Sequence, residues 1–333
     1  MGGADQGRRD QCGLSRCSVV PAKAGTHGHR LWNMGPRFRG DDLERISAAN
    51  TNEETAAMQR NGRVNSGDVS IFYRAFGARG RTPILLMHGA NYFDSYDWIG
   101  VAEALATDRE VASFDKRGFG ETGWSPSKDY SVDANLGDIL AVLAELKWER
   151  PIVAGHSASG RLAISFAANF PDKISRLVVV DSALGREEGA RPAGSNPPLV
   201  FETVEAAMAH FAKLSNPPRI AHDRERAQAA LVKVEKGYML KRDPDFQNTQ
   251  PQGEGANLPQ RARRDVWAEL SAVKCPIMIV RGLRSDRYPP ELVARITRDY
   301  PAIEWTTVDS QHDVAAQAPQ ALIAAIRKFG ASA

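Results

Sequence analysis

The stretch of this chain best suited to chemistry is Gly155-His156-Ser157-Ala158-Ser159. A short apolar run, Ile152 to Ala154, leads into it, and an Ala/Leu/Ile pattern at helical spacing leads out. A serine where a buried strand becomes a helix sits on a tight turn. Its neighbours two residues away must be small or they collide with the backbone. Such a turn lifts the hydroxyl above the sheet edge, and the helix N-terminus behind it favours developing negative charge. The implied chemistry is attack by a hydroxyl on an acyl carbon. Serine alone is a weak nucleophile, so it needs a base, and the base needs an orienting acid. The backbone N–H directly after the nucleophile, that of Ala158, is one natural donor to the resulting oxyanion.

A scaffold must position these groups. "DVSIFYRAF" alternates and reads as a half-exposed strand. "TPILLMHG", "REVASFD", "RPIVAGHS", "SRLVVVD", "CPIMIVRG" and "IEWTTVD" are short continuous apolar runs, as in strands buried on both faces of a parallel sheet. Amphipathic stretches lie between them: Trp98 to Thr107, Val132 to Lys147, Arg161 to Asn169, Pro290 to Tyr300 and Pro319 to Phe329. Strand and helix in alternation predict an α/β doubly wound sheet with ligands at the carboxyl ends of its strands. The alternation divides the chain into a core over 58–182 and 269–333 and an insertion over 183–268. In the insertion, "FETVEAAMAHFAKL" and "RERAQAALVKVEKGYML" read as helices. Met208, Phe211, Tyr238 and Met239 are its candidate pocket residues. Residues 1–57 lack any sustained period and are dense in Gly, Arg and short polar residues. They are expected to be a disordered or non-native extension.

From about residue 63 to 330 the chain resembles the α/β-hydrolases, whose motif is Gly-x-Ser-x-Gly. Here Ser159 stands where the second glycine would, and Gly160 follows. The resemblance implies a mostly parallel sheet of about eight strands with a helical cap. It also implies the chain order Ser, then Asp or Glu, then His. Of seven histidines, His312 in "VDSQHDVAAQAP" has both the order and the location of the family's base. Asp286, in the loop after the strand ending near Arg281, is the expected acid. Its competitor Asp181 comes straight off the preceding strand, and the residues "GLRSD" give Asp286 the longer reach. The His88-Gly89 pair matches the family's oxyanion loop, which makes Ala90 the second N–H donor and His88 a structural residue. "FDKRGFGET" resembles the family's Asp-x-Arg-Gly-x-Gly stretch, with Asp115 and Arg117 as a structural pair. Tyr92, Phe93, Tyr96 and Trp98 follow the oxyanion loop as core or as a substrate wall.

The reading that follows is a serine hydrolase cleaving a small apolar ester or lactone through an acyl-enzyme, without metal or organic cofactor. Cys12, Cys17, His27 and His29 match no common zinc-site spacing. A net charge of +3 with interspersed signs gives no nucleic-acid stripe, and no apolar run approaches a membrane span. Three sparse cysteines argue against a disulfide framework and for a reducing, cytoplasmic setting. Dehalogenases and epoxide hydrolases of this fold use Asp where Ser157 stands. Carbon–carbon bond hydrolases of meta-cleavage products keep the serine but typically carry Asn before it and Trp after the histidine. This chain has His156, Val314 and Ala315 at those places. That activity and a non-catalytic ligand-binding homologue remain the alternatives.

Overall fold

The computed structural model describes residues 59–90, 94–184, 200–212, 224–247 and 264–331. The expectation for residues 1–57 lies outside them, as do Tyr92 and Phe93. The core strands are β1 Arg60–Ser66, β2 Val69–Phe76, β3 Arg81–Met87, β4 Arg109–Phe114, β5 Ile152–His156 and β6 Arg176–Val180. After the insertion come β10 Ile277–Gly282 and β11 Glu304–Val308. They form one eight-stranded sheet in the order β1-β2-β4-β3-β5-β6-β10-β11. β1 and β2 pair antiparallel, and β2 pairs antiparallel with β4; the remaining neighbours are parallel. β1 is not announced by patterning, since "RNGRVNS" carries a single apolar side chain.

Side chains alternate across this sheet with the two-residue period of a strand. Leu85, Met87, Val153, Leu177, Val179 and Ile279 pack on one face with the helices 132–146, 158–169 and 266–272. Ile84, Leu86, Ile152, Ala154, Val178 and Val280 pack on the other with the helices 99–105 and 319–330. The chain leaving β3 therefore turns to one face and the chain leaving β5 to the other. Their diverging ends create a crevice at the carboxyl edge, where open α/β sheets hold ligands. Register completes the placement: Met87 lies beside Gly155, and His156 beside Val180.

The insertion departs from its sequence reading. The helix Val204–Ala212 forms, but the second helix is only Arg224–Ala229. "LVKVEKGYML" is instead a hairpin of β8 Leu231–Val234 and β9 Gly237–Leu240. With β7 Val200–Phe201 it makes a three-stranded sheet. Two β-branched valines and Gly237, at φ +127°, favour the hairpin over a helix continued through a glycine. Met208 and Tyr238 pack against the insertion's own apolar cluster, while the side chain of Phe211 lies outside the described residues.

A second correction concerns Arg117. Its guanidinium grips Asp138, not Asp115, through two hydrogen bonds of 2.7 Å, and also donates to the Asp129 carbonyl. Asp115 instead accepts the backbone N–H groups of Ser95 and Glu121, both at 2.7 Å. Asp138 lies on the buried stripe of helix 132–146 with Leu136, Ile139 and Val142. Arg117→Ala strands a fully buried carboxylate, so unfolding stability should fall by roughly 3–5 kcal/mol. The midpoint of urea unfolding measures this, and a variant as stable as the parent would contradict the role assigned to the pair.

Candidate active site

Ser157 sits at φ 55°, ψ −121° at the start of helix 158–169 and makes no capping hydrogen bond to that helix. An ordinary capping serine would make one. Its hydroxyl instead lies 2.9 Å from His312 Nε2. The turn is possible because Gly155 lacks a side chain: a Cβ there would fall 2.1 Å from the Ser159 carbonyl oxygen. The second close approach falls on Gly160, where a Cβ would lie 2.5 Å from the Ser182 Cβ. Ser159 can therefore carry a side chain without crowding the turn.

The carboxylate partner differs from the expectation. His312 Nδ1 is 2.7 Å from Asp181 Oδ2. Asp286 is 47% exposed and pairs with Arg287 at 3.3 Å. Two backbone facts explain the exchange. Asp181 has a left-handed φ of 45°, which turns its side chain across the sheet edge without any loop. The loop after β10 uses its length in fastening itself: Leu283 N–H donates to the Val308 carbonyl, Arg284 N–H to that of Ser310, and Ser285 N–H to that of Gly282. Ser285, one residue short of Asp286, is what faces inward, and its hydroxyl donates to Asp181 Oδ2 at 2.5 Å. The Gly282 N–H donates to Oδ1 at 2.9 Å. Burial pushes the Asp181 carboxyl up to about 6, against the pull of these two donors.

His312 is fixed through its backbone as well. Its carbonyl accepts from His156 Nε2 at 2.8 Å, and the two rings lie 4.8 Å apart. In the sequence His156 is marked only as the neighbour of Ser157; its inward direction follows from strand alternation in β5. Gln311 N–H donates to the Gln317 side chain, which holds the loop from the other side.

The loop after β3 lies beside the turn. His88 is fully buried, and its Nε2 accepts the Lys116 N–H at 3.0 Å. The proton therefore sits on Nδ1, which donates to the Gly89 carbonyl at 2.8 Å. Burial and then Lys116 hold this imidazole well below its usual pKa. A neutral, doubly bonded ring fits the structural role read from the sequence. Ala90 follows in this loop, and Ala158 opens helix 158–169, where the first N–H groups have no partner within the helix. Trp98 is core, whereas Tyr96 donates to Glu225 at 2.6 Å. The sequence reading missed Arg226, a buried cation from the insertion that grips Asp97 in a bidentate pair at 2.5 and 2.8 Å and approaches Asp94. An arginine within the polar stretch "RERAQA" carries no sequence signal of burial.

The sequence signature described as the alpha/beta hydrolase family matches residues 84–325, most of the chain. The chain belongs to the alpha/beta hydrolase family. A 2-(acetamidomethylene)succinate hydrolase of Mesorhizobium japonicum is 25% identical over 279 residues, 80% of this chain and 94% of that protein. The solved structure of an E-2-(acetamidomethylene)succinate hydrolase is similar in fold, with a TM-score of 0.67 and 23% identity over 82% of this chain and 99% of that one. Epoxide hydrolase 4 of Mus musculus is 27% identical over 156 residues, 45% of this chain and only 43% of that protein. Among the described residues no group of three or more His, Cys, Asp or Glu is arranged to hold a metal ion. Likewise, none of their helices is long and apolar enough to cross a membrane.

The geometry of this site separates its two candidate acids. Asp181→Asn should abolish the hydrogen-bonded, low-field proton resonance of His312 Nδ1–H, whereas Asp286→Asn should leave it in place. The reverse pattern in the proton NMR spectra of the two variants would return the acid to the β10 loop.

Proposed function

We propose that this hydrolase cleaves a carboxylic ester or a lactone through an acyl-enzyme on Ser157. The observation that carries this reading is the continuous hydrogen-bonded line from Ser157 Oγ through His312 to Asp181. His312 Nε2 takes the serine proton as Oγ attacks the acyl carbon. Nδ1–H stays on Asp181, whose charge offsets the imidazolium that forms. The oxyanion receives the N–H groups of Ala158 and Ala90. His312 then gives its proton to the leaving alkoxide, and water activated by the same imidazole releases the acid. No step requires a metal or an organic cofactor. A serine at the nucleophile position argues against epoxide opening despite the partial likeness to epoxide hydrolase 4.

The Mesorhizobium relative supports a second arm, because the substrate in its name carries an acyl C–N bond. A panel of p-nitrophenyl esters, lactones, an anilide and a dienoate ketone, assayed with the purified chain, ranks these bonds. Esters or lactones should be turned over fastest. Preference for the anilide would move the reading to C–N hydrolysis, and preference for the ketone to C–C hydrolysis. Ser157→Ala should cost at least about 10³-fold in turnover and abolish single-site labelling by a fluorophosphonate. Asp181→Asn should cost about 10⁴-fold and Asp286→Asn nothing measurable.

The pH dependence follows from burial of Asp181. Below about 6 its carboxyl holds a proton and no longer offsets the imidazolium. kcat/KM should therefore fall as pH drops through about 6, the limb belonging to the Asp181–His312 pair as a unit. An acid limb two units lower would show that Asp181 is not the group that titrates.

A further inference from the structure

Where the family motif has a glycine, this chain has Ser159, and its side chain is not idle. Ser159 is fully buried, and its hydroxyl donates to the carbonyl of His88 at 2.5 Å. That bond joins the two segments of the reactive edge that no strand pairing reaches. One is the first turn of helix 158–169, which carries Ala158. The other is the loop His88-Gly89-Ala90 beyond the end of β3. β3 and β5 are paired only as far as Met87 and Gly155. Beyond that point the two backbones diverge to opposite faces, and the Ser159 hydroxyl spans the gap. The His88 ring is already held by the Lys116 N–H and by its own bond to Gly89. Pinning the carbonyl as well fixes the peptide between His88 and Gly89, from which the chain runs directly to Ala90.

We propose that Ser159 is a positioning residue for the oxyanion hole: its hydrogen bond to the His88 carbonyl sets the spacing between the N–H groups of Ala158 and Ala90. This rests on the serine-hydrolase reading above. Two donors act together on one oxygen only when both lie within about 3 Å of it. A displacement of one by about an ångström can cost around 10²-fold. A glycine at position 159 leaves that spacing to van der Waals packing. The hydroxyl makes it a bond.

The test compares the parent with Ser159→Ala and Ser159→Gly. Alanine keeps the Cβ and removes only the donor; glycine restores the usual motif. In both, kcat for a p-nitrophenyl ester should fall about 10- to 100-fold with KM nearly unchanged. The affinity for an alkyl boronic acid, a tetrahedral mimic whose oxygen would occupy the hole, should fall by a similar factor. The acid limb of kcat/KM should stay where it is in the parent, since Asp181 and His312 are untouched. A packing role would instead lower thermal stability without a matching loss of boronate affinity. Unaltered kcat and boronate affinity in Ser159→Ala, with a parent that reacts with fluorophosphonate, would overturn this inference alone. A parent that does not react would overturn the serine-hydrolase reading and this inference with it. Ser159→Cys, a weaker donor of similar size, should recover part of the loss; recovery in Cys but not in Ala ties the effect to the hydrogen bond.

Discussion

A serine held at φ 55°, ψ −121° costs of order 1–3 kcal/mol in backbone strain. The geometry of the reactive edge depends on that cost being met by its surroundings. Ser157 N–H donates to the Val180 carbonyl at 2.9 Å, which extends the β5–β6 pairing one residue past the strand. Gly155 lets the first turn of the helix close over the strand, and Gly160 lets that helix approach β6 and Ser182. The strain stops the serine from capping its own helix, so its hydroxyl is left to meet His312.

Electrostatics at the edge follow from how deep its acid lies. Asp181 is excluded from water and stays there because three donors converge on it: the Gly282 N–H, the Ser285 hydroxyl and the His312 ring. Burial raises the cost of its charge, and the donors lower it. The balance leaves a carboxylate that is ionised at neutral pH yet gains much from a cation beside it. That is the condition under which the imidazolium of the proposed mechanism would be worth more in the site than in water.

The core was legible in the sequence because its strands are buried on both faces. Runs such as "PIVAG" and "RLVVV" have no other stable use in a chain of this polarity, and the helices between them carry clear apolar stripes. The turn at Ser157 was legible for the same reason, as a break in apolar continuity filled with small residues. The acid was not. Asp181 and Asp286 both follow strands on the same edge, and choosing between them required one left-handed residue and three backbone hydrogen bonds in the β10 loop. Neither leaves a mark in residue type. Loop length, the available signal, pointed the wrong way because the loop spends its length on β11. Asp138 did leave a mark, as an acid within the apolar stripe of helix 132–146, and that signal pairs it with a buried cation. The hairpin at 231–240 is hard to read because "LVKVEKGYML" is amphipathic at both periods, and the two valines and Gly237 decide for the strand.

Among the described residues, polar contacts and ring packing together attach the insertion to the core. Phe201, Val204, Ala207, Ala230, Leu231 and Leu240 form a small cluster of their own. Among the described residues the links to the core include Arg226 on Asp97 and Asp94, Tyr96 on Glu225, Lys241 on Glu121, Lys128 and Tyr130 on Asp243, the Phe246 ring on those of Phe119 and Tyr130, and two backbone bonds at Gly118 and Gly120. A bidentate guanidinium on a carboxylate fixes both distance and plane. Asp94 and Asp97 bracket the short helix 95–98, which leads away from the oxyanion loop, and Asp115 in turn holds the Ser95 N–H. Arg226 therefore fixes the insertion to helix 95–98, which follows in sequence the loop that Ser159 ties to the nucleophile turn. The two anchors use different chemistry for a physical reason. The inner one joins two backbone segments at a fully buried position, where an unpaired charge would be costly, and is a neutral hydroxyl. The outer one crosses from one apolar cluster to another and uses the strongest directional contact available.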